Sequence, residues 1–244
     1  MNAQIVSEFR KLRTTRSAWG LFAGSSGLVA LGVAGVLWQA HRASSAVPLA
    51  AHPILNVSLS LTWLFVMILG LRSFTDEFRN GSIVPTLLAD PDRRRVLVAK
   101  LVAMGAVAVA FATSAAALTL VIGLPWMAVK GIALGVAVGP LAVWFGKLLV
   151  IDLLFSAIGV GVGLAVRHQV AAIVGSLVMV TIVENLLGTL APAVARYLPT
   201  AATWSFAGID GAFMSPLAGA LILTTWAVSA VGVGAVLMER RDVA

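Results

Sequence analysis

The chain has 244 residues, of which 60% are hydrophobic and only 11% charged. Soluble domains carry about 25% charged residues, so this composition excludes a water-soluble globular fold and reads as an integral membrane protein. The formal charge of +7 would suggest nucleic acid in a soluble protein, and the absence of cysteine excludes disulfides and thiolate metal sites and leaves the redox compartment unreadable.

The first 18 residues contain "NAQIVSEFRKLRTTRS", with Ile5, Phe9 and Leu12 at helical spacing and Arg10, Lys11, Arg13 and Arg16 around them. That pattern predicts an amphipathic helix lying in the headgroup layer and preferring anionic lipid. The plainer alternative is an unstructured basic flank. A first apolar run, 19–40, is about twenty residues long, too long for a signal-peptide core, and is expected to stay in the protein although "RASSAVP" follows it.

A helix needs roughly 20 apolar residues to cross the hydrocarbon layer. Runs at 19–40, 54–71, 96–124, 140–166, 170–190 and 216–238 meet that need, so the expected fold is all-α with six transmembrane helices in a single transmembrane domain, 1–244. The stretch 131–139 belongs clearly to neither neighbour. Alternating loops gather almost all Lys and Arg on one side, leaving Arg42, Lys130 and Arg196 on the other. Positive charge stays cytoplasmic, which predicts a multi-pass plasma-membrane protein with both termini in the cytosol. Trp19 and Trp38 bracket the first run as an aromatic belt does, whereas Trp63 and Trp226 fall mid-span.

Between the second and third runs lies "FTDEFRNGSIVPTLLADPDRRR", the most polar stretch of the chain. It reads as a cytosolic excursion, 73–95. Ser73 or Thr75 is positioned to cap a short helix with Asp76 and Glu77 in its first turn, Asn80-Gly81 breaks it, and "SIVPTLLADP" suits a surface segment. Asp90 as cap and Pro91 at the first helical position then restart a helix into the third run. On spacing alone, a rigid lever and a solvated loop are equally good readings.

After the fifth run, "APAVARYLPTAATWSFAGIDGAFMSP" mixes prolines and glycines with Tyr197, Trp204 and Phe206. Residues 191–215 suit either short helices dipping into the membrane against protein or an interfacial loop with aromatic anchors.

Lys100 stands near the start of the third run and reads as a topology charge; three further charges fall inside the runs, Lys147, Asp152 and Glu184, and each costs about 2.5–3.5 kcal/mol at a helix centre. Asp152 and Glu184 both lie 16 residues from a turn at His168, about 24 Å of helix, and so at one depth. Lys147 can snorkel outward or bend toward a carboxylate. The group reads either as a polar patch lining a translocation path or as hydrogen bonding that holds the bundle.

No catalytic constellation is present. The phosphate loop G-x-x-x-x-G-K-[ST] is absent, since Gly146-Lys147 is followed by Leu148, and there is no HExxH; His41, His52 and His168 are expected in loops. "GVGVG" at 159–163 follows no strand and reads as a helix-packing face of GxxxG type, as do Gly20 with Gly24 and Gly131 with Gly135.

The segments "FRKLRTTRSAW", "TDEFRNGSIVPTLLADPDRRRVLVAKL", "VRHQVAAIV" and "VENLLGTLAPAVARYLPTAA" resemble the permease subunits of type-2 ATP-binding-cassette transporters, especially their actinobacterial branch; Ser82 stands where that family often has Thr. The resemblance implies a coupling helix over residues 74–82, with Asp76, Glu77, Phe78, Arg79, Gly81 and Ser82 docking into a separate ATPase subunit and the N-terminal helix adding a second contact. It implies two permease copies with two ATPase chains, ATP and Mg bound by the ATPases rather than here, and re-entrant external helices over 191–215. The expected function is export of a hydrophobic or amphiphilic compound such as a drug, antibiotic or lipid, with no enzyme activity in this chain. A proton-coupled secondary transporter using Asp152 and Glu184, and a non-transporting membrane anchor or assembly factor, are the alternatives.

Overall fold

In hydrocarbon no water satisfies backbone amides, so a spanning segment must bond within itself. A computed structural model describes residues 2–42, 52–89, 92–129, 138–209 and 213–240, and they are helical almost throughout, with no strand among them. The helices are α1 (Asn2–Thr14), α2 (Arg16–Arg42), α3 (His52–Arg79), α4 (Ile83–Ala89), α5 (Arg93–Val129), α6 (Val138–Val166), α7 (Gln169–Val178), α8 (Glu184–Leu190), α9 (Pro192–Ala195), α10 (Pro199–Ala207) and α11 (Pro216–Arg240). A π-helical turn, Met179–Val183, joins α7 to α8 without a break.

Six of these segments are long and apolar enough to cross a membrane: Arg16–Gln39, Pro53–Arg79, Arg93–Trp126, Gly139–Val166, Gln169–Leu190 and Pro216–Arg240. The expected all-α, six-span membrane architecture is therefore present. His41 and His52 do not lie in loops but in the last turn of α2 and at the first residue of α3. His168 does sit at the α6–α7 turn, where its Nδ1 caps α7 by accepting from the Ala171 N–H at 3.3 Å.

The polar stretch after the second span is built differently from its sequence reading. Ser73 and Thr75 cap nothing; their hydroxyls donate back to the Gly70 and Leu71 carbonyls, 2.7 and 3.0 Å away, inside an unbroken α3. Asp76 and Glu77 thus occupy the last turn of a long helix, the end whose dipole disfavours them, and cations compensate. At the other end of the excursion α5 starts at Arg93, with Asp92 Oδ1 accepting from the Arg94 and Arg95 N–H groups at 3.1 and 3.4 Å. The cap is Asp92; Asp90 and Pro91 lie outside the described residues, as do Gly131 and Gly135.

Helix α6 forms the centre, packed along α3, α5 and α11. The glycines explain its closeness to its neighbours. A Cβ on Gly159 or Gly163 would fall well inside contact of the Met67 or Leu71 carbonyl oxygen of α3, and one on Gly161 inside contact of the α11 backbone at Ala230. The GxxxG face is therefore spent within the chain. Trp63 is buried on the same seam, its ring centroid 4.4 Å from that of Phe155, so a core partner, not a lipid belt, accounts for its mid-span position. Trp19 and Trp38 are exposed at the two ends of α2, as a belt requires.

Because those contacts are backbone to backbone, the Gly163→Ala chain should lose about 1–3 kcal/mol of unfolding free energy. Gly175→Ala, whose Cβ meets nothing within 4 Å, should be neutral or slightly stabilising in the same mixed-micelle unfolding measurement.

Candidate functional site

At one end of the bundle the C-terminus of α3 meets α1, the start of α5 and the α6–α7 turn, and the start of α5 meets the end of α11. Arg93 donates to the Met238 carbonyl, Arg94 pairs with Glu239 at 3.0 Å, and Arg79 donates to Gln169 Oε1. The chain segments rich in Lys and Arg thus gather at one end, as the alternating-loop reading requires.

The centre of this end is Lys100, 1% exposed. An ammonium has three donors and no acceptor, and a buried one is stable only when all are used. Lys100 Nζ donates to Glu8 Oε2 at 2.9 Å, Glu77 Oε1 at 2.7 Å and the Ser73 carbonyl at 2.8 Å, and lies 4.9 Å from the centroid of the Phe74 ring. Lys11 Nζ bridges the same two carboxylates, 2.7 Å from Glu8 Oε1 and 2.7 Å from Glu77 Oε1. Four charges from α1, α3 and α5 therefore form one cluster, in which both lysines share Glu77 Oε1 and Glu77 Oε2 is left without a partner. Burial pushes the Glu8 carboxyl up, but the Lys100 charge and the hydrogen bonds from Lys11 and Lys100 outweigh it and hold the group below the usual carboxylate range. Burial likewise lowers Lys11, yet its bonds to Glu77 and Glu8 leave it raised.

This cluster redistributes the residues read as a docking set. Glu77 faces inward, 5% exposed. Asp76 is held by Arg72 at 2.9 Å, and half-buried Phe78 lies under the Arg167 guanidinium at 4.9 Å. Arg79, Asn80 and Gly81 are exposed, with Gly81 at φ 68°, a left-handed turn that only glycine adopts cheaply. The Ser82 carbonyl accepts from the Thr86 hydroxyl at 2.9 Å, starting α4, on which Val84 and Leu88 point outward. The amphipathic N-terminal helix is present as α1, with Ile5, Phe9 and Leu12 partly buried, but its Glu8 is tied into the bundle.

Away from this end the structure gives the three in-span charges separate partners; among the described residues no salt bridge joins any two of them. Asp152, fully buried on α6, accepts from the Thr62 hydroxyl of α3 at 2.9 Å. Glu184 Oε2 accepts from the Thr200 N–H at 2.9 Å, in the first turn of α10, and Lys147 Nζ donates to the Ala207 carbonyl at 2.8 Å, in its last turn. A carboxylate at the positive end of a helix dipole and an ammonium at the negative end both stabilise it. Helix α10 is thus clamped at both ends.

That clamp sets the form of residues 191–215 where they are described. α9 and α10 return toward the bundle: the Trp226 indole N–H donates to the Tyr197 carbonyl at 2.8 Å, and a Cβ on Gly219 would stand 2.6 Å from the Ala202 carbonyl oxygen. Trp226 is ten residues into α11, about 15 Å along it, so Tyr197 reaches well below the end of that helix. The mid-span indole has a protein acceptor.

Beside α10 a cavity of about 490 Å³ opens between α6, α7 and α11, with Phe155, Met179, Glu184, Pro199 and Trp226 in its wall. The walls are apolar apart from Glu184, Ser176 and Ser229.

Sequence reasoning missed Glu8, Lys100, Thr62 and Thr200. Lys100 offered a signal, since it is the one charge among the apolar residues 96–124, but it passed as a topology charge. No protein-family model matches the chain, and no curated protein sequence matches it.

Proposed function

We propose that this chain is the transmembrane permease subunit of an ATP-driven transporter of the type-2 ATP-binding-cassette kind. It exports a hydrophobic or amphiphilic compound, with ATP and Mg bound by separate ATPase subunits. The sequence resemblance supports this reading, and one structural observation carries it: the end of α3, the Gly81 turn and α4 form a foot braced from inside by Lys100. The four-charge cluster ties the foot to α1 and α5, so a load on it moves three helices together.

The route onward follows contacts already described. α3 meets α6 through the carbonyls of Met67 and Leu71 against Gly159 and Gly163, and α6 carries Lys147, which holds α10 at the far end. Movement of the foot is passed in this way to the helix beside the cavity, whose Pro199 is in the wall. Two copies of the chain and two ATPases assemble in the plasma membrane, with the foot and both termini in the cytosol.

The surface offered to an ATPase is then Arg79, Asn80, Gly81, Val84 and Leu88, with Glu77 behind it. Photocrosslinkers placed at Arg79 or Leu88 in cells should capture a Walker-motif ATPase, and one placed at Glu77 should capture α1 of the same chain. Efflux that continues with no ATPase captured at Arg79 or Leu88 overturns the reading.

A further inference from the structure

The 490 Å³ cavity has the size of a site for a drug-sized molecule, and its lining has a single ionisable group. Glu184 is 7% exposed: Oε2 takes the Thr200 N–H, while neither Oε1 nor the Thr200 hydroxyl, both buried, has a partner in hydrogen-bonding geometry. An unsatisfied carboxylate oxygen in an apolar wall is costly. Glu77 Oε2 and Asp152 Oδ2 are also buried without partners, but of these residues only Glu184 lines the cavity, so a ligand there can draw on its charge.

The backbone places that oxygen deliberately. The π-helical turn Met179–Val183 ends at Glu184, whose N–H bonds the Met179 carbonyl five residues back. The extra residue in a π turn rotates everything after it by about 100° relative to a uniform α-helix, and such turns concentrate at functional sites. Glu184 is thereby presented to α10 and the cavity at once. Phe155 and Trp226 supply aromatic wall, and the Trp226 N–H is already occupied by Tyr197, so its ring carbons are what it has left to offer. Aromatic faces and a carboxylate both attract cations.

We infer that this cavity binds a lipophilic monocation, its charge set against Glu184 and its apolar body against Phe155, Met179 and Trp226. A neutral hydrophobe leaves the free carboxylate oxygen unmatched, and an anion is repelled by it. Asp152 plays no part, because it does not line the cavity, although its Oδ2 is likewise without a partner. As the cargo of an exporter the cation rests on the function proposed above; as a ligand of this chain it does not.

The test uses two ions of nearly one shape and opposite charge, tetraphenylphosphonium and tetraphenylborate. Equilibrium binding of each is measured on the purified full chain in lipid nanodiscs, with binding to empty nanodiscs subtracted. Tetraphenylphosphonium should bind saturably and tetraphenylborate should not. Glu184→Gln, which keeps an acceptor for the Thr200 N–H, should weaken tetraphenylphosphonium at least tenfold, and Asp152→Asn should leave it unchanged. Equal binding of the two ions by the unmodified chain overturns the site without reference to any variant; so does a folded Glu184→Gln chain that binds tetraphenylphosphonium normally. Cation-selective binding with no ATPase captured at the foot sinks the transporter assignment alone, and the reverse outcome sinks this one alone.

Discussion

Replacing Lys100 with Met should destabilise the chain by about 3 kcal/mol and release α1 from the bundle. Breaking a buried ion pair by removing one partner costs roughly 3–5 kcal/mol, because the other charge is left uncompensated. Here two carboxylates are left, Glu8 and Glu77, 6% and 5% exposed; Lys11 still reaches both, which holds the loss to the low end. The Ser73 carbonyl also loses its ammonium. Combining Lys100→Met with Glu8→Gln and Glu77→Gln should recover most of the loss, since neutral replacement of the buried charges is often harmless and Lys11, the one charge left, is 45% exposed and can turn to water. The readouts are unfolding free energy in mixed micelles and hydrogen exchange of α1 amides. Unaltered α1 protection in the single variant would show that α1 is held by something other than these charges.

The same cluster fixes a pH response. Glu8 titrates below its ordinary range when folded, so its contribution is present above the unfolded carboxylate value and is lost as pH falls through the lower folded value. Lys11 titrates above its ordinary range, so its contribution is complete below the unfolded lysine value and is lost as pH rises through the higher folded one. Protection of α1 should therefore be flat across neutral pH and fail at both extremes. Removing Lys100 takes away one source of the Glu8 depression, which moves the acid-side failure upward.

What the sequence disclosed was whatever depends on transfer to lipid. The apolar runs located six spans, and the uneven Lys and Arg placement sorted the loops to two ends, because both signals are sums over many residues. Helix ends were less legible. A fall in hydropathy at Arg72 was read as the end of a helix, yet polarity reports only the solvent, and the backbone continues through Ser73 and Thr75 to Arg79. Rotation about the helix axis was least legible. Asp152 and Glu184 share a distance from the turn, but depth says nothing of azimuth, so one faces Thr62 and the other Thr200. The π turn before Glu184 leaves no compositional trace, and the partner of Lys147 is a backbone carbonyl that any residue would have supplied. Gly159 and Gly163 told both that a close contact exists and where it starts, because nothing larger fits there, whereas Gly20, read with Gly24 as a like face, meets nothing within 4 Å.

Reversing the charge at Lys147 should unseat α10, and with larger consequences than removing it. The Ala207 carbonyl stands at the negative end of a nine-residue helix, and a cation in such a partly buried position contributes up to about 2 kcal/mol. Lys147→Met forfeits that contribution. Lys147→Glu forfeits it and sets a carboxylate against the carbonyl oxygen, adding repulsion in a partly buried setting that screens it less than bulk water does. Lys147→Arg retains the donor and should restore most of the stability. The direction of fraying is the decisive signature: with the Glu184 hold at Thr200 intact, amide exchange in Lys147→Met should rise toward Ala207. In Glu184→Ala it should rise toward Thr200 instead. A uniform rise in both variants would mean that α10 is fixed by its packing against Gly219 and its neighbours, with the two charges incidental to it.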